Sequence, residues 1–229
     1  MKFDRYELFA RIFPSIICGL PVFFFYHFYI NSDFSNLLHS TLKVNLISDI
    51  PMSVVLLFCS YQIVRFFGKN IESLYFDNER KFPTTEFLLY KNNEYSTEYK
   101  NKIREKIHRN FNNILLNQIQ EKRNDKKARK LIVESVRQIR GRVKEGRLVL
   151  NRNIEFGFFR NLTAGGLIAL PITAFASYFF KYPFPNQFAF NIEALSFCLF
   201  FILAVFSYPI LKFLGKNYAN TLYQEYLEG

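Results

Sequence analysis

Four apolar blocks, each about as long as a bilayer core is thick, constrain this chain more than any other feature. A helix needs about 20 mostly apolar residues to cross that core. The blocks run from Ile12 to Ile30, from Leu46 to Phe67, from Leu162 to Phe180 and from Leu195 to Leu214. Charge stays near their edges, with Asp49 and Arg65 toward the ends of the second. Buried helices of a soluble protein would give shorter runs broken by charge, so the pattern predicts four spans. Lys2, Arg5 and Arg11 precede the first block, which invites comparison with a cleaved leader. The run is too long for one, no small-x-small site follows, and Asp4 and Glu7 sit in the flank, so a retained span is expected.

Orientation follows from charge. Residues 68–160, between the second and third blocks, hold 22 Lys and Arg against 12 Asp and Glu, a net +10. Residues 31–45 carry Asp33 and Lys43, and residues 181–194 carry Lys181 and Glu193, so both of these connections are neutral loops in this reading. Arg65, Lys69, Arg152, Arg160, Lys212 and Lys216 lie within reach of the span ends on the basic side. Because cationic flanks stay cytoplasmic, both termini and the basic domain are expected in the cytoplasm.

A repeat gives the same count independently. Phe67-Gly68-Lys69-Asn70 with Leu74-Tyr75 follows the second block, and Leu214-Gly215-Lys216-Asn217 with Leu222-Tyr223 follows the fourth. Leu20-Pro21 recurs as Leu170-Pro171. The expected fold is therefore an all-α membrane protein whose four transmembrane helices form two parallel hairpin repeats, unlike inverted transporter repeats. Residues 1–67 form the first transmembrane hairpin, 68–160 a mainly helical basic cytoplasmic domain, and 161–229 the second hairpin with a cytoplasmic tail.

Within the basic domain, Thr85 is a candidate helix cap before Phe87, and Ser96 caps a second helix. In that helix Tyr99, Ile103, Ile107 and Phe111 share one face, leaving Lys100, Lys102, Arg104, Lys106 and Arg109 mostly elsewhere. The longest helix is expected from Asp125 to Lys144. Ala128, Ile132, Val136, Ile139 and Val143 share one side of it, and Lys126, Lys130, Arg137, Arg140 and Lys144 the other. Residues 112–124 read as a polar connection, and Arg147-Leu148-Val149-Leu150 as a short strand or a turn into the third span.

No catalytic constellation emerges. His27, His39 and His108 have no nucleophile or carboxylate at a motif spacing, and no phosphate loop, dinucleotide fingerprint or zinc pattern occurs. Cys18, Cys59 and Cys198 lie in apolar blocks and read as small hydrophobes. No enzyme, metal or cofactor is expected. The spans also lack the interior charges of a pump or proton-coupled transporter. Gly165, Ala169, Thr173 and Ser177 recur every fourth residue, a small-residue stripe for close helix packing, within the chain or with a neighbour, or for lining a pore between subunits.

The basic domain admits three readings: a solvated surface that follows the orientation rule, attraction to anionic lipid headgroups, or a site for a polyphosphate ligand. Residues 100–152 hold 17 cations against 5 anions, a density beyond what orientation requires. The candidate ligand residues are Lys126, Lys130, Arg137, Arg140 and Lys144, with help from Arg147 and Arg152.

Phe82-Pro83-Thr84-Thr85 with Leu88-Leu89, Lys102-Ile103-Arg104, Ala128-Arg129-Lys130 with Gln138-Ile139-Arg140, and Asn153-Ile154-Glu155-Phe156-Gly157-Phe158-Phe159-Arg160-Asn161 together resemble a bacterial family. It is a family of small antiphage membrane effectors encoded beside a nucleotidyltransferase, the Hailong type. The likeness covers about the middle third of the chain. It implies a homo-oligomeric ion channel, a tetramer by analogy. Single-stranded DNA oligomers made by the partner enzyme would hold it shut, and opening would depolarise the membrane. The pore residues do not carry over, because the outer spans diverge. The competing expectation is an inner-membrane structural or interaction protein whose basic domain binds anionic lipids or a protein partner.

Overall fold

The computed structural model describes residues 4–25, 49–143 and 146–229, leaving aside the side chains of 49–57. Every described element is a helix: α1 (Arg5–Phe25), α2 (Asp49–Phe76), α3 (Pro83–Leu88), α4 (Thr97–Phe111), α5 (Gln118–Arg123), α6 (Asp125–Arg142), α7 (Arg147–Lys181) and α8 (Gln187–Glu228). Among these residues α1, α7 and α8 are long and apolar enough to cross a membrane. The expected second span, 46–67, begins outside the described residues and continues as part of α2; residues 26–30 of the first, His27, His39 and Lys144 also lie outside them.

The chain divides into two compact units, and α2, α7 and α8 contribute residues to both. The first unit comprises Met1–Lys69 and Phe158–Ser207. Its packing uses small residues where helices meet. Cys18, Ala169 and Phe200 form one cluster, bordered by Leu162, Leu170 and Leu203; Ala176, Phe180 and Ala189 form another, bordered by Phe25. A Cβ on Gly165 would stand 2.5 Å from the Cys18 Sγ and 3.2 Å from Val64, so only glycine permits this approach. In α1 a π-turn over Leu8–Ile12 interrupts the α-helical ladder, and buried Asn161 donates its amide to the Ala10 carbonyl at 2.6 Å. Phe58, Phe66, Phe175, Leu199, Phe201 and Val205 are each more than half exposed, a surface suited to lipid rather than water.

The second unit comprises Asn70–Gly157 and Tyr208–Gly229, so the tail expected to follow the second hairpin belongs to the basic domain. Phe82 is its aromatic centre, with ring centroids 4.9 Å from Phe76, 5.2 Å from Phe156 and 6.2 Å from Tyr218. Leu222 and Tyr223 are fully buried, and the Tyr223 hydroxyl donates to the Thr84 carbonyl. The two glycines of the repeated tails have unlike surroundings. Gly215 faces Pro83 in this unit, and Gly68 faces Asn161 in the first.

Several local expectations change. Helix α3 starts at Pro83, whose missing N–H suits the first turn, and Thr85 instead donates its hydroxyl to the Glu79 carbonyl at 2.8 Å. Ser96 does cap α4, accepting from the Tyr99 N–H at 3.2 Å. Residues 112–124 are not all connection, because a capping box between Asn117 and Gln120 starts α5. Residues 147–150 open α7, where the Leu148 and Val149 N–H groups donate to the Glu225 carboxylate at 3.1 and 3.2 Å. Glu193 lies in the second turn of α8 rather than in a loop.

Candidate polyanion-binding face

The face begins with helix α6. Asn124 accepts from the Lys127 N–H at 3.0 Å and fixes its start. Ala128, Ile132, Val136 and Ile139 are all buried, so the helical period turns Lys126, Lys130 and Arg137 outward.

The expected cations fall into two groups. Lys126 and Arg147 are exposed with no ion pair among the described residues, and Lys130 meets Glu134 only at 4.0 Å. Arg137 and Arg140 are already engaged by one carboxylate: Arg137 Nε lies 3.2 Å from Glu79 Oε2, and Arg140 Nη1 lies 2.9 Å from Glu79 Oε1. Arg140 also stacks over the rings of Phe82 and Tyr218, at 5.8 and 5.6 Å. Arg152 pairs with Glu155 at 2.8 Å.

Glu79 closes a turn in which Asp77, Asn78 and Glu79 all adopt left-handed backbone, with φ of 48°, 51° and 72°. Three such residues in a row without glycine are unfavourable by about 1 kcal/mol or more each, so the surrounding bonds must hold them. Replacing Glu79 by alanine is expected to release both arginines. The salt dependence of oligonucleotide binding should then steepen by about 1.4 in log–log slope, two further phosphate contacts at about 0.7 each. Binding isotherms across a salt series measure this, and an unchanged slope shows that neither arginine reaches the ligand.

Further cations lie outside the seven expected ligand residues. Lys127 and Arg142 are exposed without ion pairs among the described residues. On α4, Lys102, Lys106 and Arg109 line an open cleft of about 540 Å³ with Tyr99 and Asn110, opposed there by Glu105. Lys106 donates to the Leu227 carbonyl at 3.1 Å. Leu227, from the end of α8, also lines this cleft, a contact that helical periodicity does not signal.

Two further α4 cations face inward, against expectation. Lys100 and Arg104 are buried, and Arg104 donates to the carbonyls of Leu88 at 2.5 Å and Leu116 at 2.8 Å and to buried Glu121. Glu121 also accepts from the Tyr90 N–H at 2.9 Å. Burial pushes the Lys100 ammonium below its ordinary range; Arg104 adds to this and Glu121 opposes it. This cluster ties α3, α4 and α5 together, and its cations are committed to the fold.

Gly165, Ala169 and Thr173 of the small stripe are buried within the chain, and Ser177 is half-buried. Gly165 faces Cys18, Ala169 belongs to the Cys18–Phe200 cluster, and the Thr173 hydroxyl donates to the Leu170 carbonyl at 3.0 Å. Ser177 donates to the Thr173 carbonyl at 2.7 Å. No group of three His, Cys, Asp or Glu side chains suited to a metal gathers among the described residues. No known family model, curated protein or solved structure matches this chain.

Proposed function

We propose that this chain is a subunit of an oligomeric ion channel of the bacterial inner membrane, an antiphage effector gated by a nucleotide-derived polyanion. The chain then has four spans in two parallel hairpins, with both termini and the second unit cytoplasmic. Single-stranded DNA oligomers made by a neighbouring nucleotidyltransferase are the expected ligand, and a homotetramer the expected assembly. The observation that carries the reading is the placement of uncommitted cations on one helix face and at the head of a candidate span. Lys126 and Lys130 stand on α6, and Arg147 opens α7, which carries no charge from Leu162 to Phe180. Phosphates bound there act on a helix that enters the bilayer. Enclosing a hydrated path needs several subunits, because the small residues of one chain are occupied in its own packing.

The test is depolarisation. Expression without the nucleotidyltransferase is expected to collapse the membrane potential, read with a voltage-sensitive dye, and co-expression is expected to restore it. Normal polarisation at equal membrane levels favours the second reading, an interaction protein held on anionic lipids. That reading draws on Ile114 and Ile119, 74% and 65% exposed in the same chain stretch as the cations Lys122 and Arg123.

A further inference from the structure

The first unit contains an acidic side chain that its packing leaves unanswered. Glu193 is 0% exposed, and neither carboxylate oxygen has a hydrogen-bond partner among the described residues. Its position on α8 is set by its neighbours in register. Ala189, one turn earlier, packs with Ala176 and Phe180 of α7, and Phe200, seven residues later, packs with Ala169. Glu193 therefore lies on the face that α8 turns toward α7, between those two contacts. The α7 residue midway between Ala169 and Ala176 is Thr173, also 0% exposed. Its hydroxyl spends its proton on Leu170, which leaves the oxygen's lone pairs available. By register, a carboxyl and a hydroxyl come to one level of a seam whose flanking buried residues, Ala169, Ala176, Phe180 and Ala189, are apolar.

With no donor or counter-charge among the described residues, a carboxyl sealed here stays protonated, and it ionises only when a cation shares the site. We propose that Glu193 is a coordinating group for a small monovalent cation in the conducting state, a proposal that rests on the channel reading. Carboxylate and hydroxyl oxygens are hard donors suited to alkali cations, and a single carboxylate is too little charge for the oxygen cage that Ca²⁺ favours. Reached by ions when the α7–α8 seam parts in the conducting state, one such carboxylate per subunit favours cations over anions.

The experiment reconstitutes the full chain in liposomes and measures the reversal potential across a KCl gradient. Wild type is expected to prefer cations, Glu193→Gln to lower the cation-to-anion preference by about tenfold, and Glu193→Asp to keep it. Equal selectivity in wild type and Glu193→Gln overturns the proposal, as does loss of selectivity in Glu193→Asp. If wild type carries no current at all, the channel reading fails, and the cation site is judged separately by thermal stability in detergent. Stabilisation by K⁺ over N-methylglucamine at equal ionic strength, lost in Glu193→Gln, supports the site. Absence of that difference in wild type overturns it.

Discussion

Glu121→Ala is expected to destabilise the second unit by about 3–5 kcal/mol, because it leaves the buried Arg104 guanidinium without its counter-charge. Arg104 and Glu121 are 9% and 6% exposed, so water does not take the place of the lost carboxylate. Lys100 is buried beside the pair, which adds a second cation to the uncompensated charge. The Tyr90 N–H loses its acceptor at the same time. Denaturant unfolding of the purified protein, followed by circular dichroism and by proteolysis within 70–157, measures the loss. Replacing Arg104 by Met and Glu121 by Leu together should recover most of it, since removing both charges avoids the unpaired one. A loss below about 1 kcal/mol in Glu121→Ala would mean that the cluster is hydrated and contributes little.

The second large effect concerns the ligand face. Lys126→Glu, Lys130→Glu and Arg147→Glu, combined, are expected to abolish oligonucleotide binding that in wild type weakens about twentyfold between 50 and 200 mM salt. That figure corresponds to three phosphate contacts on a single strand, at a slope of about −0.7 each. These three positions are preferable to Arg137 and Arg140, where a reversed charge would stand against Glu79 and confuse folding with binding. Titration with short DNA and with anionic vesicles, on the same purified protein, separates the two ligand classes. If the triple variant keeps wild-type affinity for DNA, the face is wrongly placed. If only vesicles bind wild type, the lipid reading stands.

Much of this architecture is legible in the sequence, for a physical reason in each case. A bilayer imposes composition over a whole helix length, so the helices of α1, α7 and α8 stand out as apolar runs. The α6 pattern is equally direct, because Ala128, Ile132, Val136 and Ile139 recur at the helical period and are all buried. What periodicity misses is commitment to distant partners. Lys100 and Arg104 look like solvated cations until Glu121 and the carbonyls of Leu88 and Leu116 are placed around them. Arg137 and Arg140 look free until Glu79, some sixty residues earlier, is folded against them. Glu193 reads as part of a loop because a charge ends a hydropathy run, whereas helical backbone continues through any residue whose side chain the packing accommodates.

The discontinuity of the second unit also bears on the order in which the molecule is made. Its two pieces, Asn70–Gly157 and Tyr208–Gly229, are separated by the stretch Phe158–Ser207 of the first unit. Leu222, Tyr223 and Tyr226, buried in the second piece, reach the ribosome exit only after that intervening stretch has emerged. Contacts this far apart in sequence close late, since the chain between them must first be brought together. Until then the earlier piece waits with an unfilled apolar surface, exposed to chaperones and proteases. Quality control is thereby built into the connectivity: a nascent chain that stalls before its last helix emerges leaves a cationic unit without a complete core.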